Sequence, residues 1–468
     1  MPELPEVETI KNTISRFLIN ETIDSVEVYY KRMILSGADD FVIKLQNKKI
    51  IDIKRRGKYL LFYLSEDYVI LSHLRMEGKF YLLNGDEPIS KHTRVLFTFK
   101  SGKRVIYDDS RMFGIMKLLK VENLDEEILL KRVGPEPFEI KDSDYLFKKY
   151  SKLTVPIKSS LLNQEIMSGL GNIYADEVLF LSRINPKTPS LLIEKDDASK
   201  LLKNSIVTLN KAINLGGSTI KSYHSAQGVD GKFQNELLVY GKENEPCPNC
   251  SRLLKKIRVN GRGTTFCPRC QKLKKSCFVI GITGTIASGK STALKYLRSL
   301  GIKTISCDDV VEDLYHDVDI CKMIKNTLKR EVLNDNGLVN KDLLRIILSS
   351  DQKMKNKLEK IIHPLVEDIV YKYILDCHEE TVAIEIPLLF EAKMDYLCDY
   401  IIALFANEEL QAKNLKMRNG NIELRKIYDN SSFATYKKYA DEVIEIDEDI
   451  THLENKLKAI VETKIPSK

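Results

Sequence analysis

Two groups of residues near the middle of the chain have spacings that are typical of ligand-binding sites, one for a metal ion and one for phosphate groups. The first is a pair of Cys-x-x-Cys motifs separated by sixteen residues, formed by Cys247, Cys250, Cys267 and Cys270. Two thiolate pairs on tight turns at this spacing are typical of a tetrahedral zinc site. Because four thiolates leave no coordination position for water, we expect the zinc to be structural.

The second group is a glycine-rich loop that directly follows a short apolar strand, predicted over residues 278–284, and precedes a helix-forming run over residues 292–300. Loops of the type Gly-x-x-x-x-Gly-Lys-Ser bind nucleotide phosphates, with the lysine at the β- and γ-phosphates and the serine hydroxyl on Mg²⁺. Such a loop alone indicates nucleotide binding, equally by a kinase or by another NTPase. The predicted ATP-binding residues are Gly284, Ala287, Ser288, Gly289, Lys290, Ser291 and Thr292.

The amino terminus offers a third kind of chemistry. Removal of Met1 exposes the secondary amine of Pro2, whose pKa near that of an α-amino group, about 7.7–8.0, leaves a neutral fraction at neutral pH. Such an amine is a nucleophile for a sugar aldehyde carbon and forms an iminium, with Glu3 as general acid or base. The same residues also suit the start of a helix predicted over residues 7–18, so a capping role stays open.

The region that follows this predicted helix has a pattern that indicates β-structure, which would position the residues of the amino terminus. From residue 23 to 119, short apolar runs alternate with Gly, Asp and Asn turns, which predicts an antiparallel sandwich or barrel. The runs taken as strands are 42–45, 59–64, 69–71, 95–99 and 115–119. Residues 142–215 have a helical period with breaks at three prolines.

Several turns in these regions carry side chains suited to DNA. Met76, Arg111 and Phe113 lie on turns that end in glycine, and together they suit insertion into a base stack beside an extruded nucleotide. Taken singly, Met and Phe on turns are more often minor core residues. Gly171 and Asn172 precede a predicted helix, where backbone N–H groups can approach a phosphate.

Charge separates the two ends of the chain. The 468 residues carry a net charge of +7, but residues 1–277 contain 46 Lys and Arg against 34 acidic residues, and residues 278–468 contain 27 against 32. The first part, at +12, is therefore expected to bind a polyanion, although a lysine-rich surface can also serve solubility alone. No apolar run is long enough for a membrane span, the amino terminus is unlike a signal peptide, and the cysteines outside the motifs are scattered, so we expect a cytoplasmic protein without disulfides.

Residues 1 to about 273 resemble formamidopyrimidine-DNA glycosylases, because the motifs of that family occur here in the same order. These motifs are Pro2-Glu-Leu-Pro-Glu-Val-Glu-Thr, Lys58, Met76, Arg111-x-Phe113-Gly, Gly169-Leu-Gly-Asn172-Ile-Tyr-Ala-Asp-Glu and the ribbon ending Asn260-Gly-Arg262-Gly-Thr-Thr-Phe-Cys267-Pro-Arg-Cys270. The resemblance implies a β-sandwich over residues 1–133, a helix-two-turns-helix domain over 134–240 with a lesion-capping loop, and a zinc ribbon over 241–273. Leu4-Pro5 favours this purine-specific branch over endonuclease VIII.

The resemblance also implies the reaction. Pro2 would attack the sugar C1′ of oxidised purines, notably 8-oxoguanine and formamidopyrimidine, and base release would be followed by β,δ-elimination and strand scission. Glu3 would be the proton donor, and Lys58 would assist near the sugar-phosphate. Arg262, also counted among the catalytic residues, would hold the phosphates that flank the lesion together with Asn172.

The implied partner is double-stranded DNA that contains oxidised purines or abasic sites, bound by a monomer. Met76, Arg111 and Phe113 would fill the space of the flipped base, and a loop over residues 218–233 would close over that base. His92 and Lys158 are two further DNA-binding residues that the resemblance implies.

The C-terminal region alternates helix-like and strand-like segments around the phosphate loop, which predicts an α/β nucleoside-phosphate-kinase layout. The predicted strands are 302–306, 381–386 and 400–404, and the predicted helices are 310–315, 343–348 and one that ends at residue 363. The region over about 278–444 resembles dephospho-CoA kinases, and we take the domain as 277–468. The resemblance rests on the phosphate loop together with Asp308, Leu358-Glu-x-Ile-Ile-His363-Pro364 and Pro387-Leu-Leu-Phe390-Glu391. The resemblance implies transfer of the ATP γ-phosphate to the ribose 3′-hydroxyl of dephospho-CoA, with Mg²⁺ as cofactor and Asp308 as the base.

Some positions depart from the kinase pattern. Ser306 and Glu385 stand where the family has Asp, and Asn414 stands where Arg is usual, although Arg418 remains. Residues 426–430 carry Lys and Asn in place of the usual Arg and Gln, and Lys cannot form the same bidentate phosphate contact. A non-catalytic, ATP-binding appendage is therefore the alternative to an active kinase, and a DNA-dependent ATPase is a third hypothesis, which the net charge of −5 disfavours.

Overall fold

A computed structural model of the chain describes residues 2–83, 85, 87–218, 232–406, 408–417, 431–446 and 450–465. The chain divides into two compact units, Met1–Cys267 and Pro268–Lys468. Most of the predicted lesion-capping loop lies outside the described residues, as do Met1, Arg418 and residues 426–430. None of the helices in the described part of the chain is long and apolar enough to span a membrane.

Two four-stranded antiparallel sheets form the first part of unit 1, which confirms the predicted sandwich. Their strands are β1 (Ile23–Val28), β2 (Ile50–Arg56), β3 (Tyr59–Leu64), β4 (Tyr68–His73), β5 (Lys79–Leu83), β6 (Thr93–Phe99), β7 (Arg104–Asp108) and β8 (Ile115–Lys120). The orders are β1-β6-β7-β5 and β2-β3-β4-β8. Apolar side chains from both sheets, among them Phe62, Phe80 and Phe97, form one buried cluster.

Helix α1 (Leu4–Leu18) covers this cluster with Val7, Ile10, Ile14 and Leu18, which recur at helical spacing. Helix α2 (Ala38–Leu45) follows β1, so the strand predicted over residues 42–45 is wrong. The helix buries Phe41 and Leu45, four residues apart, and begins with two aspartates that favour a helix N-terminus. The apolar run 42–45 is too short to separate the two periodicities.

The second part of unit 1 is helical. Its helices are α3 (Ile128–Lys131), α4 (Asp144–Tyr150), α5 (Ile157–Leu162), α6 (Asn172–Leu181) and α7 (Lys195–Asn214). Helix α6 is buried on nearly all sides, including its two acidic residues. A buried charge requires close partners, so these carboxylates indicate specific tertiary contacts.

A short hairpin follows, with β9 (Lys255–Val259) paired antiparallel to β10 (Arg262–Phe266). The two connecting residues, Asn260 and Gly261, have φ of 46° and 76°. Positive φ at both central residues defines the turn for which Asn-Gly is preferred. This turn places Arg262 at the first position of β10.

Unit 2 contains a five-stranded parallel sheet flanked by helices, as the α/β prediction requires. The strand order is β12-β13-β11-β14-β15. The strands are β11 (Phe278–Gly284), β12 (Lys303–Ser306), β13 (Thr381–Glu385), β14 (Tyr400–Ala406) and β15 (Glu442–Ile446). The helices are α8 (Lys290–Ser299), α9 (Cys307–Leu314), α10 (Val318–Leu328), α11 (Lys341–Ser350), α12 (Gln352–Leu375), α13 (Glu408–Met417), α14 (Ser431–Tyr439) and α15 (Ile450–Lys464).

Helix α12 continues beyond the end predicted at residue 363 and includes Pro364 in its interior. Proline removes one backbone donor and normally ends or kinks a helix. Here Val366, Val370 and Ile374 extend the buried face of the helix for three further turns. Tertiary burial therefore outweighs the local effect of Pro364.

The segment that precedes β11 is fixed within unit 2. The Leu273 N–H donates to the Tyr396 carbonyl at 2.9 Å, and Leu273 is 2% exposed. The Lys275 ammonium lies 2.8 Å from the Asp399 carboxylate, which also accepts the Val279 N–H at 2.7 Å. The short connection is thus part of the packed structure of unit 2.

Candidate active sites

A cleft of about 600 Å³ in unit 1 is lined by residues from several separate segments of the chain. The amino terminus, the β2–β3 turn, the loop before α6 and the β9–β10 hairpin all reach it. Among the predicted site residues, it collects Pro2, Glu3, Lys58, Met76, Asn172 and Arg262. The structure therefore brings together side chains that are up to 260 positions apart in the sequence.

Glu3 lies at the N-terminus of α1 and is 2% exposed. Its carboxylate accepts the N–H groups of Gly171 at 2.6 Å and Ile173 at 2.9 Å. Burial raises the pKa of Glu3 to about 7, against the opposing effect of Lys58. At neutral pH this carboxyl group therefore exists in both protonation states and can donate or accept a proton.

Lys58 lies on the tight β2–β3 turn and is also buried. Its ammonium donates to the Leu170 carbonyl at 2.7 Å. Burial lowers the pKa of Lys58, while Glu3 and Glu6 oppose that shift. The neutral forms of Glu3 and Lys58 are thus both favoured by their surroundings, which is typical of groups that exchange protons.

Glu6 organises the other side of Glu3, a role that the motif did not reveal. One of its oxygens accepts the Glu3 N–H at 2.8 Å, and the other accepts the Tyr174 hydroxyl at 2.6 Å and the Ser218 N–H at 2.8 Å. Glu6 therefore joins the amino terminus to α6 and to the residue from which the lesion-capping loop begins.

The β9–β10 hairpin is fixed by its carbonyl and N–H groups and leaves the Arg262 side chain exposed. The Asn172 amide donates to the Gly263 carbonyl at 2.9 Å, and the Asp176 carboxylate accepts the Thr265 N–H at 2.9 Å. Within the described residues, the Arg262 guanidinium has no hydrogen-bond or ion-pair partner. A rigid strand therefore presents an unpaired cation at the rim of the cleft.

Lys158 is fully buried and lies behind this hairpin, away from its exposed face. Its ammonium donates to the Asp176 carboxylate at 2.6 Å, to the Thr264 hydroxyl at 2.8 Å and to the Gly263 carbonyl at 3.1 Å. All three donors of the ammonium are used. A role of Lys158 in DNA binding stays a prediction. The geometry supports an indirect role, in which Lys158 holds the hairpin in place.

The turn after β7 displays the predicted inserting residues. The buried Asp109 carboxylate accepts the N–H groups of Arg111 at 3.0 Å and Gly114 at 2.7 Å. Arg111 and Phe113 are exposed, and Phe113 has 58% of its surface accessible. The His92 carbonyl accepts the Asp109 N–H at 3.0 Å, so His92 lies beside the same turn.

The turn after β4 carries Met76, which is half-buried. The His73 ring accepts the Arg75 N–H at 3.0 Å, and burial lowers the pKa of His73 to about 3, so the ring is neutral. The Gly78 N–H closes the turn on the Leu74 carbonyl at 3.0 Å. Arg75 has a φ of 55°, so the backbone of this turn is held in a sparsely populated conformation.

Tyr107 lies between the two turns. A Cβ atom at Gly114 would lie 1.8 Å from its hydroxyl oxygen, and one at Gly78 would lie 2.1 Å away. Both glycines are therefore required by the position of one buried ring. Tyr107 fixes the spacing between the Met76 turn and the Phe113 turn.

The four cysteines of the ribbon form a metal site. Their sulfur atoms all lie within 4.8 Å of one another, and Cys250 and Cys267 are 3.5 Å apart. A tetrahedral zinc with Zn–S bonds of about 2.3 Å places its sulfurs roughly 3.8 Å apart. The donor set and spacing therefore fit a structural zinc, held by Cys247, Cys250, Cys267 and Cys270.

In unit 2, the phosphate loop connects β11 to α8 at the C-terminal edge of the parallel sheet. Ala287 and Gly289 have φ of 56° and 84°, which turns successive N–H groups toward one concave surface. The Lys290 ammonium donates to the Thr285 carbonyl at 2.8 Å and to the Gly284 carbonyl at 3.2 Å. Ser291 is exposed at the start of α8, where it can reach a metal-bound nucleotide.

Asp308 stands between this loop and a second cavity of about 240 Å³. Ser306 accepts the Asp308 N–H at 3.2 Å and so caps α9. Partial desolvation raises the pKa of Asp308, and the nearby charge of Lys290 opposes it. Burial likewise raises the pKa of Glu385, which pairs with Ser306 in adjacent strands. Ser306 thus acts as a helix cap at a position where the kinase pattern has Asp.

The cavity beyond Asp308 is largely apolar, with a few polar groups. Its walls come from α9, α12 and the segment after β13, including Lys355, His363 and Pro387. Asn414, on α13, donates to the Ala287 carbonyl at 3.0 Å. Asn414 therefore stabilises the phosphate loop through this hydrogen bond. The sequence showed only that Asn stands where Arg is usual and did not predict this contact.

Family models match most of the chain. Residues 1–116 match the formamidopyrimidine-DNA glycosylase N-terminal domain, residues 133–224 its H2TH domain and residues 244–273 a zinc finger found in FPG and IleRS. The formamidopyrimidine-DNA glycosylase of Bacillus cereus is 44% identical over 267 residues, which are 56% of this chain and 96% of that relative. The chain belongs to the formamidopyrimidine-DNA glycosylase family. The relative from Streptococcus pneumoniae is 42% identical over 265 residues and 96% of its own length.

Solved structures of this family agree with the sequence matches. A Lactococcus lactis FPG variant in complex with a Fapy-dG-containing DNA is 42% identical, covers 58% of this chain and 99% of its own, and superposes with a TM-score of 0.56. The Lactococcus lactis enzyme in complex with an abasic-site DNA is 42% identical, covers 58% of this chain and 100% of its own, and has a TM-score of 0.55. Residues 278–451 match the dephospho-CoA kinase model, so a kinase domain follows the glycosylase. The predictions of both families, of the fold class and of the zinc site are thereby confirmed.

Proposed function

We propose that unit 1 excises oxidised purines, such as 8-oxoguanine and formamidopyrimidine, from double-stranded DNA with Pro2 as nucleophile. The observation that carries this proposal is the position of Pro2 and Glu3 in one cleft with Lys58. After removal of Met1, the Pro2 nitrogen forms a bond to the sugar C1′ as the bond from C1′ to the base breaks. Glu3, with its pKa near 7, supplies the proton that the opening sugar requires.

Strand scission follows from the covalent intermediate. The Pro2 nitrogen holds C1′ as an iminium, which acidifies the neighbouring C2′ protons and permits β-elimination and then δ-elimination of the two phosphates. Hydrolysis of the last iminium frees Pro2. Lys58 assists near the sugar-phosphate, where burial lowers the pKa of its ammonium below the ordinary value for lysine.

The DNA is held at the rim of the cleft. Arg262 and Asn172 bind the phosphates beside the lesion, and Met76, Arg111 and Phe113 fill the space left by the flipped base. The exposure of Arg262 and Phe113 on fixed turns supports these roles. The DNA complexes of the Lactococcus lactis structures support DNA with damaged or abasic sites as the partner.

Borohydride trapping tests the nucleophile. The full chain, incubated with a duplex that contains 8-oxoguanine, should form a reduced covalent adduct and nicked product. P2A, whose terminal amine would be primary instead of secondary, should form both much more slowly while still binding a duplex with a tetrahydrofuran site. K44A, which changes an exposed lysine on α2, is the control variant and should form adduct and nicked product at the unsubstituted rate. Adduct formation by P2A at the unsubstituted rate would contradict the proposal.

We also propose that unit 2 phosphorylates the ribose 3′-hydroxyl of dephospho-CoA. The observation that carries this proposal is the position of Asp308 between the phosphate loop and the 240 Å³ cavity. Asp308 takes the hydroxyl proton while the hydroxyl oxygen bonds to the γ-phosphorus and the bond to the β-phosphate oxygen breaks. Lys290 stabilises the charge on the transferred group, and Ser291 is placed to bind Mg²⁺.

Phosphorylation of dephospho-CoA by the full chain, with ATP and Mg²⁺, separates the active kinase from the non-catalytic alternative. D308N should lower turnover by at least about a hundredfold with ATP binding retained, since general bases contribute on that order. D309N, at the next position of the same helix, should retain turnover. Binding of ATP without any turnover in the unsubstituted chain would favour the alternative.

A further inference from the structure

Gln164 makes three hydrogen bonds inside the loop between α5 and α6. Its side-chain NH₂ group donates to the carbonyls of Leu162 and Leu170, both at 2.9 Å, and its side-chain oxygen accepts the Gly169 N–H at 3.0 Å. Both N–H donors of the amide are therefore used. Gln164 closes the loop on itself, and none of the roles described above involves it.

This loop holds the two ionisable groups of the cleft through the carbonyl and the N–H of a single peptide group, the one that joins Leu170 to Gly171. The Leu170 carbonyl accepts the Lys58 ammonium at 2.7 Å, and the next N–H, that of Gly171, donates to the Glu3 carboxylate at 2.6 Å. A shift of this peptide would therefore move the ammonium relative to the carboxylate.

The loop is also packed against the amino terminus. The Leu4 N–H donates to the Gly169 carbonyl at 3.1 Å, and a Cβ at Gly169 would lie 2.4 Å from the Leu4 side chain. A Cβ at Gly171 would lie 2.3 Å from the Glu3 carboxyl carbon. The loop therefore has little free space around its glycines. The Leu170 carbonyl between them is held by two donors, the Gln164 amide and the Lys58 ammonium.

We propose that Gln164 is a positioning residue for the glycosylase reaction, which holds the Leu170 carbonyl where it binds the Lys58 ammonium beside Glu3. This inference rests on the proposed roles of Lys58 and Glu3. Gln164 acts through the peptide loop and takes no proton itself.

The electrostatic consequence has a definite direction. Burial already lowers the pKa of Lys58, and the Leu170 carbonyl stabilises its charged form. Displacement of that carbonyl should lower the pKa further. The other charged or titratable groups around Lys58 and Glu3 are Glu6, His73, Lys158, Tyr174, Tyr240 and Arg262. None of them is changed in a Gln164 variant. Displacement of the same peptide also weakens the Gly171 N–H bond that stabilises the Glu3 carboxylate, so the pKa of Glu3 should rise.

The test uses Q164M in the full chain, because methionine has a similar length and cannot replace the amide hydrogen bonds. The matched control is E165Q, whose side chain is exposed at the next position. Single-turnover excision of 8-oxoguanine is measured between pH 6 and 9, together with affinity for a tetrahydrofuran-site duplex and thermal unfolding. Q164M should excise about tenfold more slowly, as expected for a few unmade buried hydrogen bonds.

A positioning role also predicts which quantities stay unchanged. In Q164M the alkaline limb of the excision profile, which follows the pKa of Glu3, should move to higher pH. DNA affinity should change by less than about threefold. E165Q should match the unsubstituted chain in each measurement. Should Q164M not fold, Q164N gives the same test with an amide that is one methylene too short.

Two results would overturn the inference. One is a Q164M variant with an unchanged rate and pH profile. The other is a parallel loss of rate, DNA affinity and thermal stability without any movement of the alkaline limb, which indicates a structural role alone. An unsubstituted chain that fails to excise 8-oxoguanine would instead contradict the proposed function itself.

Discussion

Burial acts in opposite directions on the pKa values of the two ionisable side chains beside Pro2. It raises the pKa of Glu3 to about 7 and lowers that of Lys58, because a low-dielectric site disfavours both charged forms. Their mutual attraction only partly compensates. Glu3 can therefore change protonation during a reaction near neutral pH, and Lys58 gives up its proton more readily than an exposed lysine does.

The raised pKa of Glu3 predicts the pH dependence of base excision. An acid with a pKa of about 7 is protonated below that pH, so a step that needs the proton should slow as pH rises through about 7. Single-turnover excision measured from pH 5.5 to 8.5 should show this descending limb, and E3Q should lose it along with most of the rate. A limb of the same position in E3Q would assign it to another group.

Sequence motifs predicted the candidate reactive residues but not the residues that hold them in place. Pro2, Glu3 and Lys58 were predicted because the motif itself names them. Glu6 was not, because it acts through a backbone N–H 212 positions away. Gln164 was missed for a related reason, since its partners are peptide groups, which carry no side-chain signature.

Among the structural elements, the Met76 turn and the Phe113 turn depend on one aromatic ring. G114A should displace the Phe113 turn, since the new Cβ would overlap the Tyr107 hydroxyl. Overpacking of this kind costs about 1–3 kcal/mol. We expect a lower melting temperature and weaker binding of tetrahydrofuran-site DNA, measured by thermal unfolding and by fluorescence anisotropy.

A second substitution identifies the cause. Y107F alone should be nearly neutral, because the buried Tyr107 hydroxyl has no hydrogen-bond partner among the described residues. Combined with G114A, it removes the closest overlap and should recover part of the lost stability. If the double variant is no more stable than G114A, the ring is not the obstacle.

The hairpin that presents Arg262 depends on the buried pair of Asp176 and Lys158. D176N leaves the Lys158 ammonium buried without its counter-charge, which costs about 3–5 kcal/mol of unfolding free energy. DNA binding should weaken as well, because the Thr265 N–H loses its acceptor. Denaturant unfolding should show that D176N/K158M is more stable than D176N, and a double variant that is less stable would contradict the pairing.

Element prediction succeeded where periodicity extended over many residues. The strands of the sandwich and the phosphate loop between β11 and α8 follow from local pattern. The strand predicted over residues 42–45 was wrong because four apolar positions fit a helix equally well, and Phe41 and Leu45 decided the matter through burial. The length of α12 depended on packing beyond Pro364, which sequence cannot report.

At the scale of the whole molecule, the two units carry separate chemistries. K290A should abolish ATP-dependent phosphorylation and leave excision unchanged, because Lys290 lies on the phosphate loop and excision uses groups of unit 1. Both reactions are measured on the same preparation. Altered excision in K290A would indicate coupling, and ATP hydrolysis stimulated by DNA would favour the ATPase hypothesis.

The anchored segment before β11 limits where the chain can be divided. A gene fragment that begins at Phe278 would omit Leu273 and Lys275, and so uncover the Tyr396 carbonyl and remove the counter-charge of Asp399. Separate expression of the kinase therefore calls for a start no later than Gln271. Likewise, an endoprotease, which needs an extended and accessible stretch of chain, would find little to cut between the two enzymes.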